Sequence, residues 1–286
     1  MEEEKNNRIP FEAVKGKIEN LVRGFDRTLR KSGESASPSD YSFLVLRMIV
    51  RLNENSYRTI LYLCADDIDE RGDLEFVLSV PALARTILDS VFNVVFLLQD
   101  LEPRTKMYMR AGWATIQEEI RKWKDNRGGD PVTDPELLQL QNYYDTMKTD
   151  YLITPAEEAD PNLIPRFPHP GGMLRRTDID ADRLDFLKLL NNLFYGSFSE
   201  DAHMKWPPTM LKGSFFLQPK DDRRDNLDVL RLDYFMKSVI FLITLLSELE
   251  LGLRCGFSAD LKYVWQAFAA NSEAAKIYDT RYKNGL

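Results

Sequence analysis

Arg85, Asp89 and Asn93 recur every four residues in Ser79–Asp100, SVPALARTILDSVFNVVFLLQD. On a helix that spacing puts them on one face. Much later in the chain Tyr195, Ser199 and His203 repeat the spacing. Four residues advance a helix by roughly 400°, so each set drifts only about 40° per step. A guanidinium and an imidazole can grip an anion and move a proton. His203 would sit at a helix end, where the macrodipole favours an imidazolium. A charge buried without partners is costly, so Arg85 should be paired or line a cleft. The plainer reading of the same residues is structural. Arg85–Asp89 would be an i,i+4 ion pair, with Tyr195 and His203 as core residues whose polar tips are hydrogen-bonded.

The element that must position Arg85 is apolar nearly all round, which predicts a helix central to a bundle. Pro81 fits its first turn. Helical periodicity also predicts Phe11–Lys31, a helix from Ser39 or Asp40 to about Asp67, and Arg104–Asp125. Further on it predicts Pro135 to about Tyr151, Asp180–His203, Asn226–Phe257 ending at Gly256, and a last helix from Ser258 or Asp260. No β-branched alternation bounded by turns appears, so no sizeable sheet is expected. The expected fold is therefore all-α. One domain over residues 1–286 holds a bundle of about seven or eight helices, with Ser79–Asp100 packed against Asp180–His203 and Asn226–Phe257. Two irregular excursions, 153–177 and 204–224, interrupt it. The first carries Arg166, His169, Arg175 and Arg176, and is read as a packed loop or an anion-facing flap. The basic residues of Arg104–Asp125 read as a solvated face.

A net charge of −7 argues against broad, non-specific binding to nucleic acid, though a local basic cleft is compatible with it. Two cysteines, Cys64 and Cys255, sit in apolar helical stretches and read as small core residues. No Cys/His spacing resembles a zinc site. Asp66, Asp67, Asp69 and Glu70 lie in a turn and are expected to face water rather than a metal. P-loop, Rossmann and HExxH motifs are missing, and no nucleophile elbow accompanies Ser199 and His203. No cofactor is expected. The charged N-terminus has no signal-peptide apolar region, and the run Ser238–Leu246 is too short to span a bilayer. These features lead to the expectation of a soluble, cytoplasmic protein without membrane association.

An apolar helix carrying R-x3-D/E, followed by a helix ending in Y-x3-S-x3-H, resembles a family of uncharacterised bacterial all-helical proteins. That family is related to the HEPN superfamily (higher eukaryotes and prokaryotes nucleotide-binding). The matching residues are Arg85 and Asp89, then Tyr195, Ser199 and His203, and the resemblance covers roughly 39–100 and 180–256. It implies a polar cleft that gathers these five side chains. It also implies a role in bacterial stress or antiphage defence, binding or cutting RNA or a nucleotide. The HEPN ribonuclease signature places Arg and His on one stretch as R-x4–6-H. Residues 197–202 contain no Arg, so Arg85 would have to supply the guanidinium from another helix. Metal-free RNA cleavage needs a base for the 2′-OH, a cation for the phosphorane and an acid for the leaving oxygen. His203 suits base or acid, Arg85 a bidentate phosphate contact, Tyr195 an acid or stacking platform, and Ser199 a positioning hydroxyl. The alternative is a non-catalytic interaction module, acting as a homodimer or as the subunit of a protein partner.

Overall fold

The helices follow from where the apolar residues fall, and the computed structural model shows how they assemble. It describes residues 11–36, 40–65, 67–70, 72, 74–127, 135–196, 198, 213–214 and 217–286. Helix makes up 81% of the structure and no strand occurs among the described residues, so the chain is all-α. The helices are α1 (Phe11–Ser35), α2 (Ser42–Leu63), α3 (Val80–Leu97), α4 (Leu101–Arg127), α5 (Pro135–Asp150) and α6 (Pro155–Ala159). They continue as α7 (Pro170–Met173), α8 (Ala181–Leu190), α9 (Lys220–Leu253), α10 (Ser258–Ala267) and α11 (Ser272–Ile277).

Eleven α-helices among the described residues exceed the seven or eight expected. The surplus is α6, α7 and α11, which are too short to show an apolar period. Local capping holds them instead. The Thr154 hydroxyl accepts from the Glu157 N–H while the Glu157 carboxylate accepts from the Thr154 N–H, closing a capping box on α6. His169 Nδ1 accepts the Gly172 N–H at the start of α7, and the Asn271 side chain caps α11.

α3 is the hub. Ile87, Leu88, Val91, Phe92, Val94 and Val95 are wholly buried, and α3 packs against α9, α2, α4 and α7. Leu74–Leu97 is long and apolar enough to cross a membrane, yet 61% of its most apolar window is buried inside the protein. The expectation is that Ser79–Asp100 packs against both Asp180–His203 and Asn226–Phe257. α3 packs against α9 and meets the former segment at Tyr195, which lies against Arg85 and Phe92. Aromatic rings of α8 and of the residues that follow it pack against the C-terminal segment and α9. Phe186 meets Tyr282, and Phe194 and Phe198 meet Phe241 of α9.

α9 begins at Lys220, so residues 220–224 belong to a helix and not to the second excursion. Pro219 precedes it, and Asp221 and Asp222 in the first turn suit the positive end of its dipole. Arg223 and Arg224 of that turn reach Glu75 and Asp69, so Asp69 faces an arginine rather than open water. α9 stops at Leu253, earlier than expected. Arg254 takes the left-handed conformation, φ 53°, and Gly256 follows at φ 90°. The Arg254 side chain donates to the Gly285 carbonyl, which ties the helix end to the C-terminal segment. Near that end Gly252 faces Leu98, and a Cβ there would lie 2.9 Å from the leucine side chain.

Two apolar cores result. The larger joins α1, α2, α3, α8 and α9 with the C-terminal helices. The smaller gathers Trp113, Ile120, Leu137, Tyr144, Met147 and Ile164 from α4, α5 and the first excursion. Trp113 stacks on Tyr144 at 4.5 Å and donates to its backbone carbonyl.

Candidate functional site

Arg85 lies in the second turn of α3. It is only 9% exposed. Its Nε donates to Asp89 Oδ1 at 2.8 Å, the i,i+4 pair that the spacing predicts. Its Nη1 donates to the backbone carbonyl of Tyr195 at 3.2 Å, across 110 residues of chain. The guanidinium also lies over the Tyr195 ring, with Cζ 3.2 Å from the centroid, a cation–π arrangement. Phe92, two turns along α3, tilts against the same ring at 5.4 Å. Burial lowers the Arg85 pKa, and the charge and hydrogen bond of Asp89 partly offset it. Arginine's ordinary pKa is so high that the group stays cationic.

After Leu190 the α8 segment widens into a π-turn, Asn191–Tyr195. The expectation is an uninterrupted α-helix over Asp180–His203, and the π-turn interrupts it there. Ser199 and His203 themselves lie outside the described residues. Arg85, Asp89 and Tyr195 come together; spacing alone predicts the Arg85–Asp89 pair, whereas the approach of Tyr195 is what the resemblance implies. Asp89, with its side chain 39% exposed, carries the cluster to the surface.

Other residues that chemistry would notice have structural roles. His169 caps α7. Arg104 is buried and not on a solvated face as expected. It donates to the carbonyls of Phe96 and Asp178 at 2.8 Å each, and lies over the Phe96 ring. Arg176 grips Asp178 through two hydrogen bonds of 2.6 Å. These contacts, with Phe167 wedged between Phe96 and Tyr108, fasten the first excursion to α3 and α4. Cys64 and Cys255 are free thiols. Burial pushes Cys64 up to about 12 against the opposing charge of Arg231, and pushes Cys255 up to about 11.

Sequence reasoning missed a second polar centre. Glu248 of α9, 3% exposed, receives both Nε and Nη2 of Arg281 at 2.9 and 3.0 Å. The Tyr282 hydroxyl donates to the same carboxylate at 3.0 Å, and Arg281 also reaches Asp182. Burial holds the Tyr282 phenol well above its usual value. Burial also opposes the Arg281 charge, but the bonds and charge of Glu248 outweigh it and raise the pKa. The signal was present as two glutamates, Glu248 and Glu250, inside an otherwise apolar run. With both Glu248 oxygens and all three Arg281 nitrogens engaged, this centre ties the C-terminal segment to α9 and α8.

An open groove of about 870 Å³ runs between α2, α4, α5 and residues 161–167, lined by Met48, Met147, Tyr108, Tyr143 and Arg166 among others. It shares no residue with the Arg85 cluster. No group of three or more His, Cys, Asp or Glu side chains suited to a metal occurs among the described residues. Comparison with known proteins finds no matching family model, curated protein or solved structure.

Proposed function

We propose that the protein is a HEPN-like helical effector of a bacterial stress or antiphage system. In this reading it binds or cleaves RNA or a nucleotide through Arg85, Tyr195 and His203. The observation that carries the reading is the seat of Arg85 on Tyr195. It supports the two-helix constellation, because it joins the R-x3-D helix to the segment that leads through Ser199 to His203. Among the described residues Arg85 uses two of its five N–H donors, on Asp89 and Tyr195, and the others would serve a phosphate oxygen in this reading. His203 would then supply the base or acid. RNA integrity after incubation with purified protein tests this, with His203→Ala alongside and with and without divalent metal. Metal-independent cleavage that vanishes in the variant supports the proposal, and intact RNA in every arm removes its catalytic form.

A second reading, the interaction module, has an observation of its own. Leu44, Met48 and Leu52 are exposed at four-residue spacing on α2, beside the methionine- and tyrosine-lined groove. Light scattering on the full chain discriminates. A dimer that Met48→Glu turns into monomer favours the module, and a wild-type monomer counts against its homodimer form.

A further inference from the structure

We propose that the recess between the start of α2, the first half of α4 and the end of α5 binds a small primary ammonium compound. The recess encloses about 160 Å³ and opens beside the larger groove. A cavity of about 150 Å³ accommodates a ligand the size of a benzene ring, so the occupant has only a handful of heavy atoms. No residue of the Arg85 cluster takes part, and the inference stands apart from the function proposed above.

Charge selects a cation. Asp40, Glu102 and Asp150 line the recess together with Lys106 and Arg110. Lys106 is bonded to Glu102 at 2.8 Å, and Arg110 is paired with Glu157 of α6. Both wall cations are thereby paired with carboxylates, although the buried Arg110 Nε has no hydrogen-bond partner. Asp40 and Asp150 carry no ion pair among the described residues, and one Asp40 oxygen accepts the Ser42 N–H to cap α2. The C-terminal end of α5 arrives at the same place, and its carbonyls add partial negative charge. Tyr41 and Tyr151 stand edge to face on the wall, with centroids 6.3 Å apart. Their rings offer the π faces that attract an organic cation.

The buried hydroxyls call for a hydrogen-bonding occupant, since each can accept or donate, and the carboxylates beside them favour one that brings N–H donors. Ser42 and Thr105 line the recess at 1% and 2% exposure, and neither hydroxyl has a hydrogen-bond partner. Thr105 stands out from Thr59, Thr86, Thr115 and Thr146. Each of those donates to the carbonyl four residues earlier in its helix. A buried hydroxyl left unbonded is unfavourable. A primary ammonium brings three N–H donors to such oxygens and to the carboxylates. A quaternary ammonium brings none, and an anion would meet Asp40 and Asp150.

The test is a titration of the ¹⁵N-labelled full chain with n-propylammonium chloride, followed at the amides of Ser42, Thr105 and Tyr151. Tetramethylammonium chloride and sodium propionate serve as comparison probes. The expected result is a saturable shift with propylammonium. Exchanging the exposed carboxylate by Asp150→Asn should weaken it by about ten-fold, and Thr105→Val should weaken it several-fold. Circular dichroism checks that both variants are folded. Tetramethylammonium should bind more weakly than propylammonium. No saturation by propylammonium, an equal response to propionate, or an unchanged affinity in folded Asp150→Asn would each overturn the proposal.

Discussion

Glu248 sits almost without solvent near the C-terminal end of α9, and its charge is tolerable only because Arg281 and Tyr282 occupy both oxygens. Removing one partner of a buried ion pair leaves an uncompensated charge and costs about 3–5 kcal/mol. Arg281→Ala should therefore lower the unfolding free energy by about that amount in urea denaturation. A loss below about 1 kcal/mol would show that the pair is solvated. The two cysteines make an opposite kind of prediction. With its thiol pushed up to about 12, Cys64 presents roughly one thiolate in ten thousand at pH 8. Neither cysteine should react with a disulfide reagent on the timescale of minutes at pH 8 until denaturant is added. Rapid labelling of the native chain would show that these sites open.

At the scale of elements, the first excursion is held by few contacts, and one of them responds to pH. Hydrogen bonds from Arg176, then its charge, hold the Asp178 carboxyl below the usual carboxylate range. A depressed pKa stabilises the folded form above the unfolded value of about 3.9, and the benefit fades as pH falls toward the folded value. Amide exchange in residues 161–177, corrected for intrinsic rates, should thus accelerate as pH drops below about 4. Asp178→Asn should show the faster exchange already at neutral pH. Identical, pH-independent protection in both proteins would mean that Arg104 and Phe167 alone hold the segment.

The elements also show what a sequence discloses. α3 was legible because Val91, Phe92, Val94 and Val95 leave no polar side for water, and Arg85–Asp89 was legible because i,i+4 geometry is local. The π-turn at Asn191–Tyr195 was not legible. Its residues suit an α-helix equally well, and the widening is settled by the packing of Phe194 on Phe241 and of Tyr195 under Arg85. The burial of Arg104 was likewise hidden. Its partners are backbone carbonyls at Phe96 and Asp178, and carbonyls carry no mark in the residue string. Short helices α6 and α7 depend on caps rather than periodicity, so an apolar-pattern reading passes over them.

For the whole molecule, a net charge of −7 means that any nucleic-acid contact must be local and carried by specific cations. The most direct measurement is RNA cleavage and binding by wild type beside Arg85→Ala and Arg85→Lys, at low and at moderate salt. The lysine variant keeps the charge but loses the flat stack on Tyr195 and the bidentate fork. The expected outcome is activity in wild type and loss by about 100-fold or more in Arg85→Ala, in line with removal of a group that stabilises transition-state charge. Arg85→Lys should recover only a small part of it, with all three proteins folded by circular dichroism. Full activity in folded Arg85→Ala, or no RNA binding by wild type at any salt, would contradict the central claim and leave Arg85 as a joint between α3 and the Tyr195 turn.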